Sequence, residues 1–163
     1  MATTESKPAA EACLAVAMQI WGERGERVRC ELEGDCMVPQ LRPGDELEIR
    51  LGGAEPHLGD VVMVATPRGR LVQRIVCMKR EAGRCMVLLK PDRRWEFHPW
   101  TPAADLLGAV ISVRRGGRMR RLDTWPARCA AVARACRSFV SGRTHAPDTR
   151  FWRACAALLR PFR

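Results

Sequence analysis

Cys36 sits in the run Gly34-Asp35-Cys36-Met37-Val38-Pro39, and Leu41-Arg42-Pro43-Gly44-Asp45 follows at once. A small nucleophilic side chain is thus held between a glycine and a Met-x-Pro, and a Gly-Asp turn then opens a strand. The chemistry open to such a residue is acyl transfer, with sulfur attacking a carbonyl carbon. Only the thiolate attacks, and a free cysteine has a pKa of about 8.5, so Cys36 needs a base or a local positive charge. The histidines do not obviously supply one. His57 and His98 lie in the short loops Glu55-Pro56-His57 and Phe97-His98-Pro99, and His145 lies in a linker near the C-terminus. A lone loop histidine is usually a solvated side chain.

The other cysteines stand at 13, 30, 77, 85, 129, 136 and 155. None forms a Cys-x-x-Cys, which argues against zinc, and neither a metal nor a cofactor is expected. Residues 12–20 are too short to span a bilayer and lack the basic start of a secretory signal, so no disulfide framework is expected either. Most of the cysteines are expected to be small, buried apolar residues. A cytoplasmic protein is the expectation.

The elements that must position Cys36 read as mainly β. Residues 9–21 carry a helical stripe of Cys13, Val16, Ala17, Ile20 and Trp21, ended by Gly22 and Gly25. Alternating runs at 27–32 and 46–51 read as strands, and 60–65 is a nearly continuous apolar strand. Residues 66–69 form a turn and 71–78 return, which predicts a hairpin. Strands at 85–89 and 106–114 complete the set, the last closed by Gly116-Gly117. This spacing predicts a coiled, barrel-like antiparallel sheet without crossover helices. Two C-terminal helices follow. One starts near Asp123, Thr124 and Pro126 and repeats Trp125, Cys129, Val132, Cys136 and Phe139; the other starts near Asp148 and Thr149.

Charge divides the chain in the same place. The net charge is +10, and residues 119–163 hold ten arginines against Asp123 and Asp148. The basicity therefore belongs to the tail. The expected organisation is an N-terminal tail and helix over 1–25, one domain over 26–118, and a basic helical tail over 119–163. The tail's apolar stripe packs on the domain in one reading. In the other, Trp125, Phe139, Phe151, Trp152 and Leu158 lie on an anionic membrane surface. That second reading would place the protein peripherally, at the inner face of a membrane.

Five segments in order resemble the LexA / signal peptidase-like peptidases. They are the Cys36 motif, Gly59-Asp60-Val61-Val62, Leu71-Val72-Gln73-Arg74-Ile75-Val76, Lys90-Pro91-Asp92, and Gly108-Ala109-Val110-Ile111-Ser112-Val113-Arg114. The likeness covers about residues 27–117. It implies a LexA / signal peptidase fold in which Cys36 holds the nucleophile position, Gln73 the base position, and Asp92 orients Gln73 or a water. Gly34 would allow close backbone approach, Met37 and Pro39 would shape the loop, and Arg74 is a binding residue on the opposite strand face from Gln73. Two departures stand out. The nucleophile position of the family is serine, and its base is lysine or histidine; glutamine cannot take a proton.

The resemblance implies a protein that binds an extended peptide or protein substrate, with endopeptidase cleavage through Cys36. The alternative is an inactive peptide-binding pseudo-peptidase. A LexA-like regulator is disfavoured, because only about 25 residues precede the sheet domain, too few for a helix-turn-helix reader. Nucleic acid is therefore not an expected partner.

Overall fold

The computed structural model describes residue 17 and residues 20–52, 55–66 and 69–145. The protein is mainly β, with one eight-stranded antiparallel sheet that does not close. The strands are β1 (Arg27–Glu31), β2 (Glu46–Leu51), β3 (Val61–Thr66), β4 (Gly69–Glu81), β5 (Arg84–Lys90), β6 (Thr101–Pro102), β7 (Leu106–Arg115) and β8 (Arg118–Arg121). Their order is β1-β2-β7-β3-β4-β5-β6, and β8 pairs with β7 off this path. A helix over Trp125–His145 follows, and residues 20–23 form the end of an N-terminal helix. The second C-terminal helix and most of the N-terminal one fall outside the described residues.

Side-chain periodicity explains most of this. Leu47, Ile49 and Leu51 of β2 are fully buried, and the charged residues between them are not. Period-two alternation against a one-sided core produces that pattern. The central strand β3 lies between β4 and β7 and is buried on both faces. Val61 and Met63 join the larger core with Met37, Leu41 and Val72, while Val62 and Val64 join a smaller one with Ile75, Val87 and Leu89. Its unbroken apolar run follows from that double burial. Register shifts occur at Glu48/Ile49 between β2 and β7, at Met63/Val64 between β3 and β7, and at Ile75/Cys77 between β4 and β5. Each such bulge bends its strand and adds twist. The sheet can thus curve around a core while β1 and β6 remain its two ends.

The C-terminal helix does pack on the sheet domain, but through a different face from the one its apolar stripe predicts. Ala135 is fully buried and Gly142 is buried, whereas Trp125, Cys129, Val132 and Cys136 are exposed. Small residues win because the backbones approach closely. A Cβ on Gly59 would lie 2.6 Å from the Ala131 carbonyl carbon, and one on Gly142 would lie 2.5 Å from the Phe97 ring. Phe97 in turn meets Phe139 edge-on at 6.0 Å between ring centres. Among the described residues, no helix is long and apolar enough to cross a membrane.

Gly59 also has φ +90, a left-handed conformation that L side chains avoid. Overpacking and backbone strain therefore add at one position. Gly59→Ala is expected to cost about 2–4 kcal/mol and to speed amide exchange along residues 125–142. Denaturant unfolding with hydrogen exchange measures both. A loss within experimental error would mean that the helix does not depend on this contact.

Candidate active-site loop and groove

The Cys36 loop connects β1 to β2 and is closed by backbone bonds. Leu32 N–H donates to Asp45 O at 2.8 Å, Gly44 N–H to Leu32 O at 2.8 Å, and Leu41 N–H to Met37 O at 3.0 Å. Met37 and Leu41 are fully buried and pin the loop to the larger core. Asp45 is buried as well. It accepts the Arg42 N–H at 2.8 Å and two bonds of 2.6 Å from the Arg115 guanidinium. Those Arg115 bonds hold its carboxyl below the usual carboxylate range. The Val38–Pro39 peptide is cis.

Cys36 is half-buried at the head of this loop, and its thiol donates to the Val72 carbonyl at 3.4 Å. Burial pushes the thiol up from its ordinary value. Its own backbone N–H opposes the shift, and the Asp35 charge adds to it. Arg94 lowers it and Asp92 raises it, so no dominant cation stabilises a thiolate.

Gln73 does not act on Cys36. It is buried opposite Val62 in the β3–β4 ladder and shares a strand face with Ile75 of the smaller core. Its Oε1 is buried without a hydrogen-bond partner among the described residues. Asp92 does not orient Gln73 either, because both its oxygens belong to Arg74. Arg74 Nε donates to Asp92 Oδ1 at 2.8 Å and Nη2 to Oδ2 at 2.6 Å. The same guanidinium donates to Gly59 O at 2.8 Å and to Gln40 Oε1 at 2.6 Å. Arg74 is completely buried and ties β4, the turn before β3, the Cys36 loop and the segment after β5 into one unit. Arg93 strengthens this closure: its N–H donates to Cys36 O at 3.0 Å and its side chain pairs with Asp35.

A groove of about 700 Å³ opens beside Cys36. Val28 to Gly34 form one wall, Gly69 to Val72 the other, with Leu47 and Met63 at the base and Trp21 also in the lining. Gly34 lies in that wall, and a Cβ there would meet nothing, so no contact within the protein demands a glycine. The backbone direction of both walls follows from pairing. Leu32 turns its N–H and C=O toward the Gly44–Asp45 side, and Glu26 turns its C=O to Leu51 of β2. By period two, Arg29, Glu31 and Glu33 direct theirs the other way, to an edge that no described strand covers. On the opposite wall, Ile75 exchanges bonds with Gly59 and Asp60, so Val72 turns its backbone away from β3. β5 joins β4 only from Arg74 onward.

Sequence reasoning missed two residues. Gln40, one position past Pro39, had no signal. Lys90 had a weak one, as a cation ending the apolar run of β5. Lys90 is buried, and burial pushes its ammonium below the ordinary lysine value. It donates to Pro91 O at 3.1 Å and Ser138 Oγ at 2.9 Å, which engages it under the C-terminal helix and not at Cys36. No grouping of His, Cys, Asp and Glu suited to a metal occurs among the described residues.

Because Arg74 is fully buried, losing its counter-charge strands a cation. Asp92→Asn is expected to cost about 3–5 kcal/mol. The double variant Arg74→Met, Asp92→Leu is expected to lose less than the two single changes together, a coupling that a denaturation cycle measures. Strict additivity would show that the pair is not a structural unit. No family model and no curated protein matches this chain.

Proposed function

We propose that this chain binds an extended peptide segment in the groove between β1 and β4, as a LexA / signal peptidase-like protein whose cleavage step is weak or lost. The observation that carries the reading is the pairing of the groove walls. β1 is the end of the sheet, and its alternate N–H and C=O groups face the cavity. A strand laid there gains main-chain hydrogen bonds without any nucleophile. Arg29, Glu31 and Glu33 place a charge at every second position of that edge, which suppresses indiscriminate sheet pairing and favours peptides of complementary charge.

Cleavage lacks its proton acceptor. Burial pushes the Cys36 thiol above its ordinary value, its hydrogen is directed at a carbonyl that cannot keep it, and Gln73 cannot replace lysine or histidine. General-base help is worth roughly 10²–10⁴ in rate. An anionic membrane surface is the second partner of this reading. The C-terminal helix turns Trp125, Val132 and Val140 outward beside its arginines, and Trp125→Glu is expected to abolish co-sedimentation with anionic vesicles. Unchanged co-sedimentation would remove the membrane from the account.

The peptide test uses an array of overlapping ten-residue peptides, followed by anisotropy on the best binder. Glu31→Pro deletes one outward N–H that no ladder bond uses. It is expected to weaken binding about tenfold with little change in melting temperature. Cys36→Ala should bind as the parent does. Alkylation of Cys36 by iodoacetamide should rise only above about pH 8.5, the free-cysteine value. A thiolate formed well below that pH, with peptide cleavage abolished by Cys36→Ala, would make the protein a thiol peptidase instead. An array with no binder would end the reading.

A further inference from the structure

A second cavity, of about 460 Å³, shares no lining residue with the groove. The C-terminal helix supplies Arg134, Arg137, Ser138 and Ser141, at spacings of 3, 4 and 7 from the first, so they share one helix face. Arg120 of β8 and Arg115 at the end of β7 approach from the sheet. Four guanidiniums thus line one hollow, and their charges are unequally neutralised. Arg115 is held by Asp45. Asp92 is the one carboxylate in the lining, and Arg74 occupies both of its oxygens. Arg120, Arg134 and Arg137 have no carboxylate partner among the described residues.

The hydroxyl chemistry has the same polarity. Ser138 Oγ accepts from the Lys90 ammonium at 2.9 Å, which leaves its own hydrogen free to donate. Lys90 itself is buried behind it. Like charges gathered in a hollow repel one another, and here burial and the neighbouring Arg74 and Arg120 already disfavour the charged form of Arg134. An occupant with several anionic oxygens relieves that repulsion and takes planar, forked donors from arginine.

We propose that this cavity between the C-terminal helix and the β7–β8 end of the sheet binds a phosphoryl-bearing polyanion through Arg120, Arg134, Arg137 and Ser138. The phosphoryl group comes either from a soluble polyphosphate-type ligand or from a lipid headgroup. The site is independent of the peptide groove, since the two linings do not overlap.

Calorimetry of the full-length chain with inorganic pyrophosphate tests it, with sulfate at matched ionic strength as a control. The expected result is one site per chain, weakened about tenfold or more by Arg134→Gln and by Arg137→Gln. Arg84→Gln removes the same charge from the far hairpin and should bind as the parent does. Pyrophosphate should raise the melting temperature of the parent and not that of Arg134→Gln. Without anion, Arg134→Gln should be at least as stable as the parent, which separates lost binding from failed folding. Vesicles containing phosphatidylinositol bisphosphate form the second arm. Vesicle binding displaced by pyrophosphate identifies a lipid headgroup, and pyrophosphate binding without vesicle binding identifies a soluble ligand. Equal weakening by all three variants, or no binding of either probe, overturns the proposal.

Discussion

The buried Arg74 guanidinium is the constraint around which the rest of the molecule is arranged. A cation with no solvent contact is tolerable only when it is paired and well hydrogen-bonded, and Arg74 makes four such bonds. Asp92 answers with both oxygens, Gly59 with its carbonyl and Gln40 with its amide oxygen. Those three partners come from three separate connections: the turn into β3, the Cys36 loop and the segment after β5. One side chain therefore does what a larger apolar core would do in a bigger domain, holding loops in fixed relation to a strand. The arrangement is also demanding, because each of the three segments leaves a charge uncompensated if it moves away.

From that centre two further features follow. Gly59 must offer its carbonyl to Arg74 while its Cα lies against the backbone at Ala131, which only a residue without Cβ can do. The helix is thereby seated over the buried charge pair, with Ala135 and Gly142 inward. Trp125, Val132 and Val140 are left outside, while Phe139 meets Phe97. On the other side, Arg74 fixes Gln40 and hence the loop whose head carries Cys36. Asp45 and Arg115 fix the far end of the same loop. Cys36 is thus held in a defined position for structural reasons that owe nothing to its reactivity.

Much of this was legible in the sequence where one physical rule dominated. Both bounds of β2 follow from Leu47, Ile49 and Leu51 alternating with charges. The central place of β3 was implicit in its unbroken apolar run. β8 was not legible: its four residues are all exposed and three are arginines, so no alternation exists to read. The signal that could have found it was the turn. Gly116 and Gly117 both have positive φ, as a tight hairpin connection requires. The helix face was misread because hydrophobic periodicity assumes that larger apolar groups go inward. At a close backbone crossing, steric exclusion overrides that preference and selects Ala and Gly. Strand alternation sets Arg74 on the opposite face from Gln73. Its partner was not legible, since nothing local links Asp92 to a residue eighteen positions away.

The same alternation decides what the Cys36 loop can do. Gln73 stands on the smaller-core face of β4, whereas Val72, the residue that Cys36 touches, belongs to the larger core. Gln73 Oε1 is buried and has no hydrogen-bond partner among the described residues. Lys90, the nearest buried lysine in the β4–β5 ladder, is held by Ser138 and Pro91 beneath the helix. The thiol meanwhile spends its hydrogen on Val72 O, a backbone acceptor on the edge that an incoming strand would also use. On the proposed reading, a bound strand and Cys36 would thus compete for, or share, the same carbonyl. A bound strand that took Val72 O would strip the thiol of its one hydrogen-bond acceptor among the described residues without giving it a base. On the proposed reading, a peptide in this groove would therefore be retained rather than cleaved.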